Sequence, residues 1–175
     1  PRPAPRPAPR GVLRRLGCAI KPVCLAAWLA AAPAGWALPT GAVVSLGQAV
    51  VRPAAPGTLE IVQGTAKAGL DWRSFSIAAG ERVLIRQPGP SSVLFNRVLG
   101  ADPSLILGQL QANGRVFLSN PRGIVFGAGS QVDVGGLLAT TLSLNTTADA
   151  GGRYSLGGGS AATGELRVDG RIHAP

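Results

Sequence analysis

The chain has 175 residues, enough for one domain with a sizeable core, and 46% of them are hydrophobic, which excludes disorder for most of it. Its 25 Gly and 15 Pro suit a turn-rich β fold. The formal charge of +9 is unevenly placed: residues 1–37 hold six basic and no acidic side chains, the rest 11 basic and 8 acidic, so nucleic acid is not an expected partner of the folded part.

Residues 1–10, PRPAPRPAPR, favour extended polyproline II, either as a genuine N-terminal extension or as non-coding sequence read from a misplaced start. Met is absent even at position 1, which points to a fragment or a misassigned start. Residues 11–37 read as a secretory signal. Arg14, Arg15 and Lys21 supply its positive region, and Val23 to Ala34 its apolar core. Gly35 and Ala37 put small residues at −3 and −1 for a cut between Ala37 and Leu38. The apolar run Val23–Leu38 has 16 residues, with Pro33 and Gly35 inside it, short of the ~20 a spanning helix needs, so the chain is not expected to span a membrane. Both cysteines, Cys18 and Cys24, lie in this segment, which leaves residues 38–175 without a disulfide or a thiolate metal site.

In residues 38–57, Val43–Val44 and Ala49–Val51 predict short strands ended by Pro53 and Pro56. Four strands are predicted next: Thr58–Gln63, Asp71–Ile77, Arg82–Gln87 and Val93–Val98. Trp72, Phe75 and Ile77 are candidate core residues, and Val83 and Ile85 face opposite to Leu84 and Arg86. Ala79-Gly80-Glu81 and Pro88-Gly89-Pro90 are turns by composition. Asn96-Arg97 is a candidate second motif; the plainer reading is an Asn at a bend between coils. Around Asp102-Pro103 a short turn of helix is predicted, with Asp102 as its cap, then a strand over Leu107–Leu110.

Residues 113–141 hold the densest alternation of apolar and polar residues. Val116 and Leu118 alternate with Phe117 and Ser119; Asn120-Pro121-Arg122-Gly123 makes a turn; Ile124–Phe126 restarts a strand. Gln131–Val134 follows, and Gly135-Gly136 breaks it. Residues 145–164 are small, polar and Gly-rich, an excursion with a strand near Tyr154–Leu156 and a glycosylation-type triplet at Asn145. Glu165–Ile172 is a strand broken at Asp169-Gly170.

Many short strands with tight turns predict an all-β fold, and a barrel, a sandwich and a β-solenoid all fit. At QANGRVFLSNPRGIVFGAGSQVDVGGLLATTL, with Trp72–Ile77, Leu94–Val98, Asp102–Ser104 and Ile106–Leu110 upstream, the chain resembles the secretion domain of filamentous haemagglutinin-like exoproteins. Those proteins are the exported partners of two-partner secretion systems in Gram-negative bacteria. The resemblance covers residues 38–175 and implies a right-handed parallel β-helix with an N-terminal cap, truncated at its C-terminal end, with coils of about 20 residues and roughly six rungs. It implies a non-catalytic role with no cofactor and no metal. The expected partner is an outer-membrane β-barrel transporter whose periplasmic modules recognise the domain and pass the chain to the cell surface or medium. A missing passenger would meet the host cell surface, carry a toxin or capture haem.

The family's motif is Asn-Pro-Asn-Gly-Ile; here Asn120, Pro121, Gly123 and Ile124 match and Arg122 departs. A tight turn that sets the helix is the structural reading of these residues, and contact with the transporter the sharper one. Arg is a poor replacement for an Asn that bonds its own turn or takes positive φ. The contrasting class is a polysaccharide-acting β-helix enzyme. Against it, His173 is the single His, and Asp71, Glu81, Asp102, Asp133 and Asp169 read as scattered, solvated turn residues.

Overall fold

The computed structural model describes residues 37–145, 154–157 and 164–175. The proline-rich extension, the signal segment up to Trp36, both cysteines and Thr146-Thr147 of the glycosylation-type triplet lie outside the described residues. The described strands are β1 (Val43–Leu46), β2 (Ala49–Ala55), β3 (Thr58–Gln63), β4 (Lys67–Trp72), β5 (Arg82–Arg86), β6 (Val93–Val98), β7 (Ser104–Ile106), β8 (Gln109–Ala112), β9 (Arg115–Ser119), β10 (Ile124–Phe126), β11 (Gln131–Asp133), β12 (Gly136–Thr140), β13 (Ser143–Leu144), β14 (Leu156–Gly157), β15 (Leu166–Val168) and β16 (Arg171–His173).

These strands coil into a parallel β-helix with three faces. One face stacks β3, β5, β8, β11 and β16, the second β4, β6, β9 and β12, and the third β7, β10 and β15. At the N-terminal end the direction reverses. β2 pairs antiparallel with β3, and β1 antiparallel with β4. Together they form the expected cap, which covers strand edges that a solenoid would otherwise leave open. The β2–β3 hairpin closes on Pro56-Gly57, with Gly57 at φ 69°, the residue pattern of a type II turn.

Arg82 stacks on Thr58, Gln109 on Arg82 and Gln131 on Gln109, so successive turns are unequal in length. The next step, from Gln131 to Arg171, is much longer, because the segment 145–164 is inserted in it. The helix therefore has about three turns rather than the six expected. Each coil is longer than expected, and the segment 38–57, just after the expected cut, goes into the cap instead of a coil.

Parallel stacking puts like positions of each turn in columns, and the inward columns are apolar. Leu59, Val83, Leu110, Val132 and Ile172 form one, and Ile77, Ile106, Phe126 and Val168 another. Trp72, Phe75 and Ile77 are buried as expected, with Trp72 edge-on to Phe75 at 5.4 Å. Each fully buried side chain of this size contributes about 1.5–3 kcal/mol, so the columns outweigh any surface pair. A smaller apolar cluster lies on the outer side of the second face, where Phe95, Phe117 and Tyr154 meet.

Several expectations need correction. Pro53 does not end β2, which runs on to Ala55; β2 lies at the end of its sheet, where a missing N–H is tolerated, and the register shifts beside Pro53. The strand expected over Asp71–Ile77 is Lys67–Trp72, and the large residues beyond it pack at a corner. No helical turn forms at Asp102-Pro103, and no helix occurs among the described residues. β7 starts at Ser104 because its register partners in β10 hold the backbone extended. The strand expected over Leu107–Leu110 is replaced by β7 and β8, with Gly108 at the corner between them. Gly136 opens β12 instead of breaking the chain, and the strand near Tyr154 is Leu156–Gly157.

Candidate functional site

Asn120–Ile124 links the second face to the third. The Gly123 N–H donates to the Asn120 carbonyl at 3.0 Å, closing a β-turn with Pro121 at its second position. The Asn120 side chain is fully buried and fully used. Its Oδ1 accepts from the Arg122 N–H at 2.9 Å, and its Nδ2 donates to the Asp102 carbonyl at 3.1 Å and to Ser104 Oγ at 2.9 Å. Asp102 and Ser104 belong to the preceding turn of the helix. The Asn120 N–H donates to the Thr140 carbonyl at 3.0 Å and the Ile124 N–H to that of Glu165 at 2.9 Å. Gly164 donates its N–H to the Pro121 carbonyl at 3.1 Å. A Cβ on Gly164 would run into the backbone of Arg122 and Gly123.

The five residues thus divide in two. Asn120, Gly123 and Ile124 are buried, Pro121 is half-buried, and Arg122 is exposed. Within the motif positive φ falls on Gly123, at 120°, and no described residue other than glycine has it. The expected cost of Arg at position 122 therefore does not arise: Asn120 makes the turn hydrogen bond, and Arg122 has an ordinary backbone.

Asn96 and Arg97 separate to opposite sides of β6. Asn96 is fully buried mid-strand, stacked between Leu70 and Leu118, so it is not at a bend. Trp72 Nε1 donates to its Oδ1 at 3.0 Å, and its Nδ2 donates to the Phe117 carbonyl at 3.4 Å. A side chain so placed offers nothing to a partner of the folded domain. Arg97 points outward and grips Asp71 with two bonds of 2.9 and 2.7 Å. That hydrogen-bonded carboxylate holds Arg97 above the usual arginine value, against the opposing effect of partial burial.

Ala37 and Leu38 begin the described chain. Leu38 packs against the core, and the Ala37 N–H donates to both carboxylate oxygens of Glu81, at 3.1 and 3.2 Å. Glu81 is therefore not the solvated turn residue expected: it is 7% exposed and also accepts from the Ala78 N–H at 2.8 Å. Asp71 is likewise engaged in a strand, not free at a turn. Asp133 lies in β11, exposed, 3.0 Å from His173 Nδ1. No three His, Cys, Asp or Glu side chains come close enough to hold a metal among the described residues. No helix of those residues is long and apolar enough to cross a membrane.

Sequence reasoning missed two polar sets. Glu60 on β3 accepts from Arg52 on cap strand β2 at 2.8 Å and from Arg86 on β5 at 2.6 Å, tying the cap to the first two turns. Those two bonds, Arg86 first, hold the Glu60 carboxyl below the usual range. At the next corner Gln63, Gln87 and Asn113 stack. Gln87 Nε2 donates to Gln63 Oε1 at 3.0 Å, and Asn113 exchanges two bonds with the Gln87 backbone at 2.7 and 2.8 Å. Amides recurring at 63, 87 and 113, one turn apart, were the available signal.

A family model described as the TPS secretion domain matches residues 37–174. Two heme/hemopexin-binding proteins of Haemophilus influenzae are each 38% identical to the chain. One matches over 108 residues, 62% of this chain and 12% of that protein. The other, from strain ATCC 51907 / DSM 11121 / KW20 / Rd, matches over 135 residues, 77% of this chain and 14% of that protein. The crystal structure of the HMW1 secretion domain from Haemophilus influenzae superimposes with a TM-score of 0.67 at 27% identity, covering 77% of this chain and 36% of that one. The chain thus spans a small part of the length of the relatives it matches.

Proposed function

The chain belongs to the TPS secretion domain family, the domain through which two-partner exoproteins are exported, and on that premise we propose how it is used. In this reading the signal segment is cut between Ala37 and Leu38, and residues 38–175 are presented in the periplasm. A partner outer-membrane β-barrel transporter recognises them there, and the protein passes to the cell surface or medium. The role is one of addressing and folding, not of catalysis. The observation that carries this reading is the match of the family model to residues 37–174, which leaves almost none of the folded part outside the domain.

The Asn120–Ile124 motif acts in this scheme as a folding element. Its polar Asn side chain is spent inside the protein, so a transporter that touches the folded motif meets Pro121 and Arg122 alone. Asn96 serves as a core anchor for Trp72, and Arg97 as a surface clamp on Asp71. Main-chain recognition has two candidate edges in β1 and β2, each the terminal strand of its sheet. Secretion of the chain with the transporter present and absent tests the reading, and the same assay on Asn120→Ala and Arg122→Ala separates folding from contact. Equal losses in both variants would favour contact; loss in Asn120→Ala alone favours the folding role.

A second reading concerns the passenger. The two relatives carry the name heme/hemopexin-binding protein, which makes haem capture the first activity to test in the full-length protein. Haem titration of the full-length exoprotein checks it, and no binding would leave adhesion or toxin delivery.

A further inference from the structure

Glu81 is a buried carboxylate with no cation paired to it among the described residues. An isolated buried charge is costly unless hydrogen bonds or a counter-charge offset it. The Ala78 N–H serves one oxygen at 2.8 Å. The other donor is the Ala37 N–H, which straddles both oxygens at 3.1 and 3.2 Å. A single amide proton shared between two acceptors is a poor match for this site. A group with three N–H donors and a positive charge is a good one.

The chain just after Ala37 is fixed. Leu38 packs on the core and Pro39 is buried. The Thr40 N–H donates to the Ser74 carbonyl at 2.9 Å, the Arg73 N–H donates to the Thr40 carbonyl at 3.0 Å, and the Thr40 and Ser74 hydroxyls meet at 2.7 Å. The chain end is therefore held beside Glu81 whether or not anything precedes it. Hydrolysis of the Ala37–Leu38 bond consumes one water, leaves a carboxylate on the departing Ala37 and an ammonium on Leu38. The new ammonium lies one residue along the chain from the Ala37 N–H that Glu81 held.

We propose that Glu81 is the built-in receptor for the α-ammonium created by signal removal. Cleavage replaces a shared amide contact with a buried ion pair and fastens the start of the cap to the first turn of the helix. The proposal rests on the cut placed between Ala37 and Leu38, and the test keeps the two apart.

The chain from residue 11, with a start Met and its own signal, is exported in a Gram-negative host and purified from the periplasm, with Glu81 intact and as Glu81→Gln. Intact mass gives the first residue. Acylation of the α-amine by an amine-reactive ester near neutral pH is then followed by mass spectrometry, with Lys67 as internal reference. The α-amine is expected to react about tenfold more slowly with Glu81 present, the effect of one pH unit in its protonation, with Lys67 unchanged. A cytosolic form beginning at Gly35 keeps Glu81 but has an amide at Ala37, and is expected to melt at a lower temperature than the exported form. Equal α-amine reactivity in the two proteins, or equal melting of the Gly35 and exported forms, overturns the proposal alone. A first residue other than Leu38 overturns the cut as well, and the proposal with it.

Discussion

Replacing Asn120 by Ala removes three side-chain hydrogen bonds: to the Asp102 carbonyl, to Ser104 Oγ and from the Arg122 N–H. Each such bond contributes about 1 kcal/mol net, and Ser104 Oγ is left buried without its partner, so the expected loss is about 3–4 kcal/mol. That is a large share of the ~5–15 kcal/mol by which a domain is stable. Restoring the family residue with Arg122→Asn touches only an exposed side chain on ordinary backbone, and is expected to stay within about 0.5 kcal/mol. Urea denaturation of the processed domain, read by Trp fluorescence, measures both. A loss below about 1 kcal/mol in Asn120→Ala, or an equal loss in Arg122→Asn, would refute the argument that the motif works through its buried Asn.

Gly164→Ala drives a Cβ into the Arg122–Gly123 backbone and is expected to lower the melting temperature, although Gly164 lies far along the chain from that turn; an unchanged melt would mean the two segments do not close on each other. Asn96→Leu keeps the branched shape but strands Trp72 Nε1, with an expected cost of at least about 1–3 kcal/mol in the same denaturation assay; no cost would mean that Trp72 finds another acceptor. The Glu60 carboxyl sits below its unfolded value, so its contribution is present above that value and lost as pH falls through the lower folded one. Glu60→Gln should therefore flatten the acid limb of the stability profile below about pH 4.5, while wild type and variant keep parallel curves at higher pH.

Alternation of apolar and polar residues located β3, β5, β9 and β11 closely, because each of those strands sets one face against the helix core and the other outward, whereas β6 and β10 are apolar runs set off by the turns before them. The parallel β-helix itself was not legible from period, since its successive turns differ in length and leave no fixed repeat; resemblance at the Asn120 turn supplied it. Most misreadings share one cause. Asp102-Pro103 and Gly135-Gly136 carry local signals for a helical turn or a break, and the stacking of one coil on the next overrides both; Pro53 is carried by antiparallel pairing of the cap strand β2 with β3. Buried polar residues were missed for a related reason. Asn96, Gln63, Gln87 and Glu81 look solvated along the chain, and become interior only when successive coils are laid on one another. At the motif, sequence showed which residues form the turn, but not that Ser104 and Gly164 enclose it.

The central claim is that residues 38–175 address the protein to a partner transporter. The direct measurement is the amount of processed chain in the medium and in the periplasm of a Gram-negative host, with and without that transporter. The account predicts transporter-dependent appearance in the medium and accumulation in the periplasm without it. The same periplasmic amount in both hosts, with nothing in the medium, would contradict it.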